Sequence, residues 1–78
     1  MTFLVPIPNM LRHAKQVAKT AGFENVRLSR IGFAEWQASA KLKGVNEWWS
    51  TLGLTRRQAI ADLIAKMESR KPNDNLVN

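Results

Sequence analysis

The strongest constraint on the fold is a strict two-residue alternation of apolar and polar side chains over residues 35–43. The apolar positions are Trp36, Ala38, Ala40 and Leu42, and the polar positions between them are Gln37, Ser39, Lys41 and Lys43. Successive side chains of a β-strand project to opposite faces, so this segment predicts a strand with one buried and one solvent-facing side.

Two further strands are predicted beside this one. Val26 and Leu28 alternate with Arg27 and Ser29, and residues 32–34 (Gly-Phe-Ala) indicate a turn. A second turn at residues 44–46 precedes a third strand over residues 47–52. The short turns favour an antiparallel meander. Its polar face would carry Arg27, Ser29, Gln37, Ser39, Lys41 and Lys43.

Two helix-periodic segments enclose the strands. The first is predicted over residues 10–21, with Asn9 as its N-cap and Gly22 ending it. The second begins at Thr55, which forms a capping box with Gln58. The apolar positions are Met10, Leu11, Ala14, Val17, Ala18 and Ala21 in the first helix, and Ala59, Ile60, Leu63, Ile64 and Met67 in the second. On the outer face, Asp62 and Lys66 have the spacing of an ion pair.

The element order α-β-β-β-α predicts an α+β fold in which both helices pack on one face of a three-stranded antiparallel sheet. Trp36 and Leu63 are expected in the core. The predicted domain covers residues 9–69. Residues 1–8 form an extended lead-in, because two prolines hold Val5 and Ile7 away from helix, and a short edge strand is an alternative there. Residues 70–78 form a flexible tail.

Composition narrows the function classes. The 78 residues carry a net charge of +6 and an isoelectric point near 10.6, which favours a polyanionic partner. Cysteine is absent, and no signal peptide or membrane span is recognisable, so a cytoplasmic location is expected.

Catalytic and cofactor-binding patterns are absent from the sequence. His13 is the one histidine, the carboxylates are scattered, and the four glycines separate predicted elements rather than form a phosphate loop. We therefore expect a non-enzymatic protein without metal or cofactor.

Three groups of residues are candidates for binding. Thr55, Arg56 and Arg57 place a hydroxyl cap and two cations at a helix N-terminus, where free N–H groups and the helix dipole favour phosphate. Arg12, Lys15 and Lys19 form a basic stripe on the first helix. Trp48 and Trp49 are adjacent, so both cannot face the core. Trp49 falls on the strand face that otherwise looks polar. It would either fold over the sheet edge or, if exposed, stack a base or anchor a protein.

The element order and the segment Gly53-Leu-Thr-Arg-Arg-Gln-Ala resemble the double-stranded RNA-binding domain over roughly residues 6–68. That resemblance implies phosphate contacts by Thr55, Arg56 and Arg57, with Ala59 buried. Other family positions differ. Ile60 replaces a basic residue, the first helix carries Arg12, His13 and Lys15 where the family has a glutamate, and residues 32–34 replace a Pro-His pair. The resemblance therefore implies one phosphate site and leaves RNA and DNA as alternatives.

A second resemblance involves Trp36-Gln-Ala-Ser-Ala and the segment from Gly53 to Leu63, which are similar to the strand-turn-helix core of HicB-like antitoxins. It implies a protein partner. The expected function is thus nucleic-acid binding, with duplex favoured as the ligand, and the alternative is a protein-interaction module of antitoxin-like or inhibitory type.

Overall fold

The computed structural model describes residues 6–70, and it confirms the α-β-β-β-α order of an α+β fold. The elements are α1 (Ile7–Ala21), β1 (Phe23–Gly32), β2 (Glu35–Leu42), β3 (Trp48–Gly53) and α2 (Arg56–Arg70). The alternative edge strand would have included Ile7, which belongs to α1 instead, and the rest of that segment and of the predicted tail (residues 1–5 and 71–78) lies outside the described residues. Arg70 itself belongs to α2.

The start of α1 corrects the prediction of an Asn9 cap and an extended segment through residue 8. Pro6 is the N-cap, with φ −60° and ψ 148°, and its carbonyl oxygen accepts hydrogen bonds from the N–H groups of Asn9 and Met10, each at 3.0 Å. Pro8 lies in the first turn, where a residue without an N–H leaves no helical hydrogen bond unmade. The helix therefore begins at Ile7, three residues before the predicted start.

The predicted end of α1 is confirmed. Gly22 adopts φ 90°, and its N–H caps the helix by donating to the carbonyl of Ala18. This left-handed conformation favours glycine because it lacks a Cβ. The chain reverses there and enters β1 directly at Phe23.

The sheet is an antiparallel meander in the order β1-β2-β3. Residues paired across neighbouring strands project to the same face. The pairs Leu28–Ala38 and Ala40–Trp49 therefore lie on one face, and Ser39 with its two partners lies on the other. Asn25, with φ 55°, marks a bulge in β1 between Glu24 and Arg27.

Both helices cover the face that carries Ala38 and Ala40, as predicted, and we call it the helix-covered face. The core there consists of Ala14, Val17, Ala18, Ala21, Phe23, Ala38, Ala40, Ala59, Ile60, Leu63 and Met67. Leu63 is completely buried, whereas Trp36 is half-buried against this core. Phe23, absent from the expected core, packs edge-on against Trp49 with ring centroids 5.1 Å apart.

The two helices run parallel to each other. Near the start of both helices, Arg57 Nη1 donates a hydrogen bond to Met10 Sδ at 3.4 Å. Near their ends, Glu68 of α2 and Thr20 of α1 line the same surface depression. The N-terminal ends of both helices therefore lie at the same end of the domain. Within residues 6–70, neither helix is long and apolar enough to cross a bilayer.

Candidate nucleic-acid interface

The N-terminus of α2 has the predicted hydroxyl cap, whereas the return hydrogen bond from the Gln58 side chain to the Thr55 N–H is not formed. Thr55 Oγ1 accepts a hydrogen bond from the Gln58 N–H at 3.1 Å, which is the hydroxyl half of the predicted capping box. Arg56 and Arg57 follow in the first turn, which carries no acidic residue. Since the first N–H groups of a helix have no acceptor within it, this end is positive from both its backbone and its side chains.

Arg56 is held in place by Trp36. Its guanidinium carbon lies 5.5 Å from the centre of the Trp36 ring, within the range of a cation–π contact. Arg56 is nevertheless exposed, so its N–H groups face solvent at the start of the helix. Arg57 is half-buried, and its guanidinium contacts Met10 of α1 through the Nη1–Sδ hydrogen bond.

A third arginine, which the sequence did not single out, joins this end of the domain. Arg30 of β1 is the cross-strand partner of Trp36, so the two side chains share the helix-covered face. Its guanidinium donates hydrogen bonds to the carbonyl oxygens of Gly32 at 3.2 Å and Phe33 at 2.6 Å. The sequence pattern could have identified Arg30. Val26, Leu28 and Arg30 occupy every second position of β1, so Arg30 places a charge where an apolar residue is expected.

We call Arg30, Arg56 and Arg57 the arginine cluster. Trp36 connects two of its members, since Arg30 pairs with it and Arg56 lies over its ring. Among residues 6–70, Glu35, which precedes Trp36 in β2, is the acidic residue at this end. The cluster outnumbers it three to one, so this end of the domain has a net positive charge.

The basic stripe of α1 occupies a different flank of the molecule. Arg12, Lys15 and Lys19 are all exposed. Lys15 and Lys19 line a depression with residues 23–26 at the start of β1, whereas α2 packs on the opposite flank of α1. The structure thus brings Thr55, Arg56 and Arg57 together and keeps the stripe apart from them.

The adjacent tryptophans separate onto the two faces, but not in the way expected. Trp49 lies on the helix-covered face, so the expectation that its face is polar is wrong. It is half-buried against Phe23, its Nε1 donates to Glu47 Oε2 at 3.0 Å, and Lys66 Nζ lies 5.8 Å from its ring centre. Trp49 is therefore a packing residue of the sheet.

Trp48 lies on the opposite, open face of the sheet and is 39% exposed. The guanidinium of Arg27 is 4.9 Å from its ring centre. The depression beside it has a volume of about 270 Å³ and is lined by Arg27, Ser29, Gln37, Ser39, Trp48 and Ser50. Two lysines were also predicted on this polar face. Lys41 forms a salt bridge with Glu24, with 3.0 Å between Nζ and Oε2, and Lys43 lies just beyond the end of β2, in the turn.

His13 is exposed on α1. Among residues 6–70, no group of three or more His, Cys, Asp or Glu side chains is placed to hold a metal ion.

Comparison with protein-family models, with curated proteins and with solved structures finds no match to this chain.

Proposed function

We propose that this protein binds nucleic acid without catalysing a reaction, and that the arginine cluster at the N-terminal end of α2 contacts the phosphate backbone. The observation that carries the proposal is the placement of Arg56, whose guanidinium lies over the Trp36 ring at the capped start of a helix, while Arg30 is the cross-strand partner of the same tryptophan. Arginine in such a contact keeps its edge N–H groups available for a phosphate.

The cost of this arrangement supports an anionic ligand. A cation in the first turn of a helix is unfavourable because it faces the positive end of the dipole, by about 0.3–1 kcal/mol for each charge. Arg56 and Arg57 both occupy that turn, and Arg30 adds a third positive charge nearby. A phosphate bound there would be attracted both by the arginines and by the positive end of the helix dipole, which would offset these repulsions, and the free N–H groups would donate hydrogen bonds to it.

The stripe of α1 serves as an auxiliary contact in this proposal. Arg12, Lys15 and Lys19 extend over about 10 Å along the helix axis at 1.5 Å per residue. They begin near the end of the domain that holds the arginine cluster, because α1 and α2 run parallel. Polyanions long enough to pass around α1 would reach both sets of charges, which favours a duplex over a small anion. A cytoplasmic location is part of the proposal, since nucleic acid is present in that compartment.

The test is the double substitution Arg56→Gln and Arg57→Gln, assayed by gel shift against duplex RNA, duplex DNA and single strands at several salt concentrations. Each lost phosphate contact lowers the slope of log affinity against log salt by about 0.7–0.9, so we expect a decrease of nearly 2. Thermal melting followed by circular dichroism checks that the variant is folded, because Arg57 also contacts Met10.

Arg27→Gln provides a matched control for Arg56→Gln. Arg27 is also an exposed arginine that lies over a tryptophan ring, but it projects from the open face of the sheet, opposite the helices. We expect Arg56→Gln alone to reduce the salt slope by nearly 1 and Arg27→Gln to leave it unchanged. If the parent protein shows no salt-dependent binding to any of these nucleic acids, the proposal is wrong.

The exposed Trp48 favours a second candidate function, which is recognition of a protein partner through the open face of the sheet. Aromatic side chains at the centre of an interface contribute much of the binding energy, and such binding depends far less on salt than phosphate contacts do. Binding to a protein that is lost in Trp48→Ala and insensitive to Arg56→Gln would identify this function instead.

A further inference from the structure

The most exposed large apolar side chain among residues 6–70 is Phe33, at 92%. It lies at the tip of the β1–β2 hairpin, in a turn of two residues between Gly32 and Glu35. Hairpin turns of this length prefer glycine, asparagine or aspartate. An aromatic side chain here contributes nothing to the core and keeps its whole ring in water.

The turn that presents Phe33 is held by Arg30. The two hydrogen bonds from its guanidinium reach the carbonyl oxygens of Gly32 and of Phe33 itself. Neither turn residue has a positive φ, so the turn lacks the backbone geometry that matches the twist of the strands best. The side chain of Arg30 supplies hydrogen bonds that keep it closed, and the ring of Phe33 is therefore presented from an ordered support.

Phe33 belongs to the same end of the domain as the arginine cluster. Arg30 bonds to its carbonyl oxygen, Trp36 pairs with Arg30, and Arg56 lies over Trp36. A ligand that places a phosphate on the cluster would bring its neighbouring chemical groups to the hairpin tip. The ring is suited to a flat, uncharged partner next to that phosphate.

We propose that Phe33 stacks on an unpaired base, and that the preferred ligand is a duplex with an unpaired nucleotide next to the phosphates held by the arginine cluster. This inference rests on the proposed nucleic-acid function. Stacking on an aromatic ring is favourable for every base because each has a π-face. In an intact duplex the same contact would first require a base step to be opened, which costs a few kcal/mol.

An anionic membrane also combines negative charge with an apolar interior, so it is the other partner that Phe33 and the arginine cluster could bind. Glu35 favours the base over the membrane. Its carboxylate lies close to Gly32, since Glu35 Oε1 would be 3.0 Å from a Cβ built there. Insertion of the tip into lipid would bury this charge, whereas the edge of an unpaired base offers N–H donors to it.

The experiment compares two fluorescent duplexes that differ by one unpaired 2-aminopurine, with anisotropy reporting affinity and 2-aminopurine emission reporting stacking. The parent protein should bind the bulged duplex roughly tenfold more tightly than the intact one, the order of effect of one base–aromatic stack, and should quench the emission. Phe33→Ala should lose the preference and the quenching but bind the intact duplex as before, and Phe33→Trp should retain both.

Val45→Ala is the control, because Val45 is also exposed, at 48%, and lies beyond β2 at the opposite end of the sheet. It should behave as the parent protein does. If Phe33→Ala keeps the preference for the bulged duplex, the inference is wrong while the proposed function stands. If the parent protein binds neither duplex, the inference is wrong, and if it binds no single strand either, the proposed function is wrong as well. Vesicles of phosphatidylglycerol complete the comparison, and binding to vesicles that depends on Phe33, without a preference for the bulged duplex, overturns the inference.

Discussion

The ammonium group of Lys66 donates a hydrogen bond to the backbone carbonyl oxygen of Ser50, with 3.2 Å between Nζ and O. Ser50 lies in β3, the last strand of the sheet, and its carbonyl points away from β2. In an antiparallel pair of strands every second pair of opposite residues is hydrogen-bonded. Leu42 and Glu47 form a bonded pair, because the Leu42 N–H donates to the Glu47 carbonyl. Ser50 and its partner Ser39 stand three pairs further along and are therefore a non-bonded pair, so the Ser50 carbonyl faces outwards. A lysine of α2 thus covers an acceptor on the open edge of the sheet.

Lys66→Met tests whether this contact protects the edge. The substitution keeps an apolar side chain of similar length but removes the charge and the donor, so the edge of β3 becomes a better template for another strand. We expect the free energy of unfolding to fall by at most about 1 kcal/mol, since the bond is exposed. Analytical ultracentrifugation should show more self-association than the parent protein does at the same concentration.

Lys19→Met is the control for this prediction, because Lys19 is exposed on α1, away from the edge of β3. It removes the same charge from the molecule and should leave self-association unchanged. Equal self-association of the two variants would mean that net charge, rather than the Ser50 contact, determines it.

Gly53→Ala should destabilise the protein because the backbone of α2 passes directly over Gly53. A Cβ there would lie 2.7 Å from the nitrogen of Ala59 and 3.1 Å from its Cα. Helix backbone cannot rotate away as a side chain can, so we expect a loss of about 1–3 kcal/mol in unfolding free energy, measured by urea denaturation.

Gly32→Ala is the matched comparison for Gly53→Ala. The nearest atom to its added Cβ is the flexible Glu35 Oε1, at 3.0 Å, and neither glycine has a positive φ. The loss at Gly32 should therefore be clearly smaller than at Gly53. Similar losses at the two sites would contradict the close approach of α2 to β3.

Leu63→Ala tests the centre of the core. Leu63 is completely buried, so truncation removes apolar contacts and leaves a cavity, with an expected loss of about 2–5 kcal/mol. A domain of this size has a total stability near the lower limit of about 5–15 kcal/mol, so the variant should be partly unfolded at 25 °C by circular dichroism. Leu52→Ala makes the same change at a side chain that is 58% exposed, and it should alter stability by no more than about 0.5 kcal/mol. If Leu63→Ala melts cooperatively at the same temperature as the parent protein, Leu63 does not lie in the core.

Interactions between near neighbours in sequence could be predicted only where no distant group competes for them. The Thr55 cap is formed with Gln58, three residues away, and it is present as predicted. The predicted pair of Asp62 and Lys66 is not formed, because Lys66 instead donates to Ser50, sixteen residues earlier in the chain. A surface ion pair is worth only a few tenths of a kcal/mol in a helix, so a backbone acceptor brought close by packing displaces it easily.

The sequence by itself determined the kind and order of the elements, because the change between helical and strand periods is a local property of the chain. It also determined which side of β2 and of each helix is buried, since one side of each is almost entirely apolar. In β3 both sides carry a tryptophan, so the pattern there is ambiguous. Only the tertiary structure decided that Trp49 lies under the helices, because the strand pairs Trp49 with Ala40 and turns Gly53 toward Ala59, where α2 leaves no room for a side chain. The same holds for the candidate site. Arg56 and Arg57 are recognisable from their helix cap, whereas Arg30 and Trp36 join them through strand register, which depends on residues far apart in the chain.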